Sequence, residues 1–318
     1  MVVVMRVLLA GASGVLGRTL LPFLTRAGHT VTGITRRRGS VTALGAPEVV
    51  ADILDRPSLL ASLHGAEFDA VIALTSARAH IPRRYTRMGQ INRLRTEGTS
   101  ALIAAARATG ATRLVAASDF AGYGLEDFDH DVLDEEAAFG AQPGGPIDII
   151  QRSALSNEQQ ARAFGGVALR FGAVYRGRGD AAVVASDWRG DLPLVHVDDA
   201  ASATVSALDA DPGSVFNIVD DTPASWRDLQ FERAHAFQQP DPTRLPSWML
   251  RRTSPFAAEL LTATSMRVSN ARARAELGWA PAFSSYREGV WSEVTDAAQA
   301  RAVQSGPSRA SGAAHGSA

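Results

Sequence analysis

Three glycines spaced three apart, Gly11, Gly14 and Gly17, follow the short apolar run Arg6-Val7-Leu8-Leu9-Ala10. The chemistry open to such a turn is to hold the pyrophosphate of a dinucleotide. The chain turns tightly, a phosphate approaches backbone N–H groups, and the following helix packs close on the strand. Glycine turns also serve packing alone, but a strand before and a helix after favour the nucleotide. A second group bears on which dinucleotide. Sites selective for NAD place a carboxylate about 20 residues on, where it accepts the ribose hydroxyls. The corresponding stretch here is Ile34-Thr35-Arg36-Arg37-Arg38. It offers no carboxylate, and Arg36 and Arg37 suit a 2′-phosphate, so NADP is expected, with NAD as the alternative. The competing reading is a solvated arginine cluster.

These groups need a scaffold, and strands and helices alternate as in a parallel sheet covered on both faces. Val7 to Ala10 and Thr30 to Ile34 are expected strands, with a helix from Val15 to Ala27 between them that stripes Leu16, Leu20, Leu21 and Leu24. Val49 to Ala51, Ala70 to Leu74, Arg113 to Ala117, Val167 to Phe171 and Val215 to Val219 are further apolar runs. Asn92 to Thr109 and Asp148 to Phe164 are expected as long helices. The fold class is therefore α/β, a doubly wound parallel sheet. Residues 1–220 form mainly the dinucleotide domain, with 176–190 contributing to the substrate region. Residues 221–298, richer in Trp and Pro, form a smaller C-terminal substrate-binding region, and 299–318 read as a disordered tail.

The 318 residues, 46% of them hydrophobic, are enough for an ample core. A formal net charge of -1 gives no field for nucleic acid or anionic lipid, and neither is an expected partner. No cysteine occurs, which removes thiolate chemistry and cysteine-bound zinc. All 32 basic residues are arginine, so no lysine can take part in a proton relay. Met1 to Leu9 reads as a core strand and not a signal peptide, and no run approaches a membrane span. A cytoplasmic protein is expected. The acidic stretch Asp127, Asp129, His130, Asp131, Asp134, Glu135 and Glu136 lacks the fixed spacing of a calcium site and reads as a solvated loop, so no metal is expected.

The chain resembles the short-chain dehydrogenase/reductase superfamily, specifically its extended and atypical members of the NAD-dependent epimerase/dehydratase type. The likeness covers most of the chain and rests on ordered blocks: Gly11-Ala-Ser-Gly-Val-Leu-Gly17, Phe68-Asp69-Ala70-Val71-Ile72-Ala73-Leu74, Thr96-Glu97-Gly98-Thr99, and Leu169-Arg170-Phe171-Gly172-Ala173-Val174-Tyr175. Val195-His196-Val197-Asp198-Asp199, Phe216-Asn217-Ile218-Val219 and Ser269-Asn270-Ala271-Arg272…Glu276-Leu277-Gly278-Trp279 continue the series. The resemblance implies a Rossmann sheet with pyrophosphate on the backbone of Ser13, Gly14, Val15 and Leu16. It implies adenine near Asp52 and Ile53, the nicotinamide ribose at Thr75 and Ser76, and nicotinamide flanked by Phe171 to Tyr175. It is also consistent with a homodimer. Asp52 has the alternative of a solvated strand-end carboxylate.

The resemblance breaks at the catalytic pair, a tyrosine four residues before a lysine. With Glu158 at the family's acidic position, Ile150 and Ala154 take the two places, and no tyrosine lies between Tyr123 and Tyr175. The other catalytic block reads Ala117-Ser118-Asp119-Phe120-Ala121-Gly122-Tyr123-Gly124, which puts Asp119 where relatives carry a hydroxyl. Asp119 is a candidate general acid or base if partly desolvated; the alternative is that it caps the turn. Ser118 is a candidate for a substrate oxygen or for its own backbone, and Tyr123 is a third proton handler. His80 is a weaker catalytic candidate in the loop with Arg78, Arg83, Arg84 and Tyr85. His196 looks structural, before a helix capped by Asp198 or Asp199.

The leading expectation is an atypical enzyme of this superfamily that binds NADP(H) and reduces or epimerises a small organic substrate at a carbonyl-bearing carbon. One alternative is a redox-neutral dehydratase, isomerase or cyclase using Asp119. The other is a non-catalytic NADP-sensing regulator.

Overall fold

The computed structural model describes residues 3–74, 84–141, 144–177, 179 and 182–304. Its centre is a seven-stranded sheet of β1 (Arg6–Ala10), β2 (Thr30–Thr35), β3 (Glu48–Val50), β4 (Ala70–Ala73), β5 (Arg113–Asp119), β6 (Val167–Phe171) and β7 (Val215–Ile218). All pairings are parallel and the order across the sheet is β7-β6-β5-β4-β1-β2-β3. That is the doubly wound arrangement, reversing between β1 and β4, where the crevice for a ligand opens. The strands read as nearly unbroken apolar runs because helices bury them from both sides.

On one face lie α1 (Val15–Arg26) and α6 (Val197–Ser206), over Val7, Leu9, Ile72, Val115 and Leu169. The opposite face carries α2 (Arg56–Ser62), α4 (Thr99–Thr109) and α5 (Asp148–Ala163), over Leu8, Val71, Leu114 and Ala116. The helix expected from Asn92 is not uniform. A short α3 (Gly89–Arg93) passes into a π-helical turn, Leu94–Gly98, before α4 begins. Such turns hold one residue more than a regular helix and often mark functional positions.

The C-terminal region contains α7 (Trp226–Ala236), α8 (Ser247–Thr253), α9 (Pro255–Thr262), α10 (Ala271–Glu276) and α11 (Tyr286–Gln304). It recruits earlier segments: Val183–Ala185 pairs with Thr243–Leu245, and Asp191–Leu192 with Ala224–Ser225. The acidic stretch expected as a solvated loop is in part a strand, Asp127–Leu133, paired with Ser265–Val268. Its acidic residues alternate with Phe128, His130 and Val132, a period of two that charge content obscures. Residues 299–304, expected at the start of a disordered tail, have helical backbone in α11; the remaining tail residues lie outside those described. No helix among the described residues is long and apolar enough to cross a membrane.

Candidate active site

The turn after β1 has the geometry its glycines suggest. Gly11 has φ +88°, and a Cβ there would stand 2.6 Å from the Leu74 carbonyl oxygen, just beyond β4. At Gly17 a Cβ would come within 2.2 Å of the Gly11 oxygen, so only glycine lets α1 sit this close to the strand. Gly14 donates to the Gly11 carbonyl at 2.9 Å and is the N-cap of α1. Neither a side-chain cap nor an acidic residue in the first turn competes for the helix N-terminus, which leaves its N–H groups and partial positive charge to an anion. Ser13 and Val15 are partly open and Leu16 is buried. This cradle fits a pyrophosphate.

Arg36, Arg37 and Arg38 are exposed in the loop directly after β2. The loop is tied down from both ends. Thr35 Oγ1 accepts from the Arg37 N–H at 3.1 Å, and the Glu48 carboxylate accepts from the N–H groups of Gly39, Val41 and Thr42. Those hydrogen bonds hold the Glu48 carboxyl below its ordinary range. Asp52 is exposed and accepts from Leu54 N–H at 2.9 Å, while Ile53 is buried against the position of Gly98. Thr75, Ser76 and His80 lie outside the described residues.

The candidates after β5 diverge. Ser118 shares the face of Ala116, toward α5, where its hydroxyl donates to Glu158 Oε1 at 2.7 Å. Glu158 also receives Arg170 Nη2 at 2.9 Å, and Arg170 Nη1 donates to the Tyr123 hydroxyl at 2.9 Å. The single Tyr123 proton lies between Asn217 Oδ1 and the Asp134 carbonyl, both 2.8 Å away. Burial pushes the Tyr123 hydroxyl up to about 12. Glu135, its carboxyl also raised by burial, accepts from the Asn217 N–H at 2.7 Å. Ser118 and Tyr123 are thus two links in one buried network, with their hydroxyls committed to protein groups.

Asp119 has a different neighbourhood. Its Oδ1 accepts from the Ala121 N–H at 3.1 Å, capping the turn Phe120–Gly122, and its Oδ2 meets Arg95 Nη2. Arg95 was not among the residues singled out by sequence, although it is the largest of the side chains that burial closes off almost completely. A signal was present: Arg95 falls on the apolar stripe of Ile91, Gly98 and Leu102, where a charge needs a partner. At the two family positions on α5, Ile150 and Ala154 are buried apolar side chains. Beside them, Ser153 donates to Asn92 Oδ1 at 3.0 Å, and Asn157 Nδ2 to the Ala117 carbonyl at 3.0 Å.

Phe171 and Tyr175, expected beside nicotinamide, are both 2% exposed. The Tyr175 hydroxyl donates to the Ser285 carbonyl at 3.3 Å, and its ring meets the edge of His196. His196, and neither Asp198 nor Asp199, caps α6: its Nδ1 accepts from the Asp198 N–H at 3.3 Å. The opposite ring nitrogen, Nε2, is 3.3 Å from Glu293 on α11. Asp199 instead accepts from the N–H groups of Ala282 and Phe283, which frees the cap position for a ring that bridges two helices.

A glycine turn after the first strand of a seven-stranded, doubly wound parallel sheet defines a Rossmann-like α/β fold. Residues 7–175 match the NAD dependent epimerase/dehydratase family, and the chain belongs to it. The chain is 33% identical over 314 residues to a 3-diazoavenalumate denitrifying reductase from Streptomyces sp, covering 91% of this chain and 100% of that protein. Among solved structures it is similar in fold to the UDP-glucose 4-epimerase of Thermotoga maritima, with TM-score 0.74, 19% identity and coverage of 93% and 100% of the two chains. The UDP-glucose 4-epimerase of Thermus thermophilus, solved with NAD, gives TM-score 0.73 at 20% identity over 92% and 98%. The family and these named relatives are enzymes.

Proposed function

We propose that this protein is an NADP(H)-dependent reductase that delivers hydride to a small nitrogen-bearing electrophile, in the manner its reductase relative's name describes. The observation that carries the reading is the loss of the proton-donating pair together with the arrangement left in its place. Ile150 and Ala154 are apolar and enclosed, and the polar group at the C-terminal end of β5 is the carboxylate of Asp119 on Arg95. A site that reduces carbonyls needs a donor for the developing oxyanion. Loss of nitrogen from a diazo compound has no oxyanion to serve.

The bound cofactor would supply the hydride. The chain's own groups would hold it: the N–H groups from Ser13 to Leu16 on the pyrophosphate, Arg36 and Arg37 on a 2′-phosphate, and Asp52 with Ile53 beside the adenine. Arg36 and Arg37 support NADP because they follow β2 directly, are exposed, and stand on a loop fixed by Thr35 and Glu48. The substrate then lies at the C-terminal edge of the sheet, against the C-terminal region.

The test is a turnover with NADPH stereospecifically deuterated at nicotinamide C4 and an arenediazonium acceptor. The expected result is one cofactor oxidised per nitrogen released, with turnover slowed when the transferred position carries deuterium. Cofactor binding without oxidation by diazonium or carbonyl acceptors would overturn the reductase reading and leave a nucleotide sensor.

A further inference from the structure

Hydride addition changes the charge of its acceptor by one negative unit, so the sign of the nearest fixed charge selects which acceptors are served. A carbonyl becomes an alkoxide and is helped by a cation or an acid. A cation becomes neutral and is helped, while bound, by an anion.

The Arg95–Asp119 pair has a definite direction. The Arg95 side chain is 2% exposed and the Asp119 side chain 24%, so the guanidinium is interior and the carboxylate is the end that opens at the edge of the sheet. Asp119 is held on both oxygens, by Ala121 N–H and by Arg95, which fixes it as an anion in one orientation. The neighbouring hydroxyls do not compensate: Ser118 donates to Glu158, and Tyr123 is enclosed by Arg170, Asn217 and Asp134. Arg95 gains its place from the π turn Leu94–Gly98, and α5 contributes only Ile150 and Ala154 at the positions where a tyrosine and a lysine would stand.

We infer that the Arg95–Asp119 pair gives this site a polarity opposite to that of a tyrosine-lysine site: it receives positive charge, so the preferred hydride acceptor is a cation. Arg95 is a positioning residue and Asp119 carries the recognising charge. The inference rests on the reductase reading and names the substrate class within it. For an arenediazonium ion the hydride bonds to the terminal nitrogen and neutralises the cation, giving Ar–N=N–H. That species gives up its N–H proton, breaks its carbon–nitrogen bond to release N2, and takes a proton at the ring carbon. The electron pair would come from the reduced nicotinamide, with no net consumption of protons. A bound cofactor would offer the same carboxylate a second cation, the nicotinamide ring in its oxidised form, whereas the reduced ring is neutral.

That second cation permits a test without turnover. Dissociation constants for NADP+ and NADPH are measured by calorimetry on the wild type, Asp119→Asn, Arg95→Lys and the double variant Asp119→Asn with Arg95→Met, which removes both charges at similar volume. Removing the carboxylate is expected to raise the NADP+ to NADPH ratio of dissociation constants by about tenfold, one pK unit's worth of charge interaction. The double variant should shift the ratio in the same direction but by less, since it also removes the Arg95 cation, and Arg95→Lys should keep the wild-type ratio. In parallel, kcat/KM is compared for benzenediazonium and benzaldehyde. The wild type should favour the cation, and the double variant should lose at least about tenfold of that preference. An unchanged cofactor ratio in both Asp119 variants overturns the inference even if the wild type reduces diazonium. A shifted ratio with no turnover of either acceptor supports the site's polarity and removes the reductase reading instead.

Discussion

Glu158 and Arg170 face each other across the space between α5 and β6, with Arg170 Nη2 2.9 Å from Glu158 Oε2 and side chains only 3% and 6% exposed. The Arg170 guanidinium also lies 3.7 Å from the centroid of the Phe139 ring. One pair therefore fixes α5, the sheet and the segment bearing Phe139, and through Ser118 and Tyr123 it fixes both ends of the β5 turn that presents Asp119.

Breaking that pair from one side should be costly. Arg170→Met leaves a buried carboxylate without its cation, and a loss of about 3–5 kcal/mol is expected in urea denaturation. The double variant Glu158→Met with Arg170→Met should recover much of it, since no charge remains to be desolvated. Equal losses in the single and double variants would contradict the pairing.

Gly17→Ala forces a Cβ to within 2.2 Å of the Gly11 carbonyl oxygen, and α1 must move off the strand. Overpacking of this kind costs about 1–3 kcal/mol or more. Because the helix N-terminus moves with it, cofactor affinity measured by calorimetry should fall by a larger factor than stability alone explains. Gly39→Ala is a control for the loop: no atom lies within 4 Å of a Cβ there, although its φ of +85° imposes backbone strain.

Arg36→Ser with Arg37→Ser removes the charge offered to a 2′-phosphate. Hydrogen bonds to charged groups contribute about 1.5–3 kcal/mol, so NADP+ affinity should fall roughly 10- to 100-fold while NAD+ affinity stays nearly constant. Parallel losses for the two cofactors would show that the loop does not read the phosphate.

Asp220 supplies a pH test. Burial, with Asp199 nearby, pushes its carboxyl up to about 7 from the ordinary 3.8. Between those values the folded state binds more protons than the unfolded one, so this group makes stability fall as pH rises from about 4 to 7 and has no further effect above. Tm of Asp220→Asn should therefore gain on the wild type through that window and run parallel to it above pH 8. Tyr175, Asp199, Asp221 and His196 face the same carboxylate, and the paired comparison cancels their common contribution.

Much of this fold was legible because parallel strands buried on both faces leave apolar runs, as at Val167–Phe171, and because Gly11 and Gly17 occupy places that admit no Cβ. The site was legible to the level of the segment. Ser118 and Asp119 are adjacent in sequence, yet one meets Glu158 on α5 and the other, at the strand end, meets Arg95 on the turn before α4. Sharing a face with Ala116 places Ser118 toward α5, but which helix supplies each partner depends on how α4 and α5 pack side by side on that face. Arg95 was missed because its partner is 24 residues away, joined to it only through the packing of two elements. The sequence points to an aspartate as the cap of α6 because acidic residues compete well for that position, and the longer-range demand of Ala282 and Phe283 on Asp199 leaves no local trace.

The π turn makes the charge at the sheet edge sensitive to chain length as well as to residue type. A π turn is a helix carrying one surplus residue, and each residue of a regular helix spans about 100°. Deleting a single residue within Thr96–Gly98 would let the helix close regularly, keep α4 in place on its apolar face, and rotate what precedes it by about that angle. Arg95 would turn away from Asp119 without any substitution at either position. A one-residue deletion or insertion is thus a route by which related chains could gain or lose this ion pair in a single step.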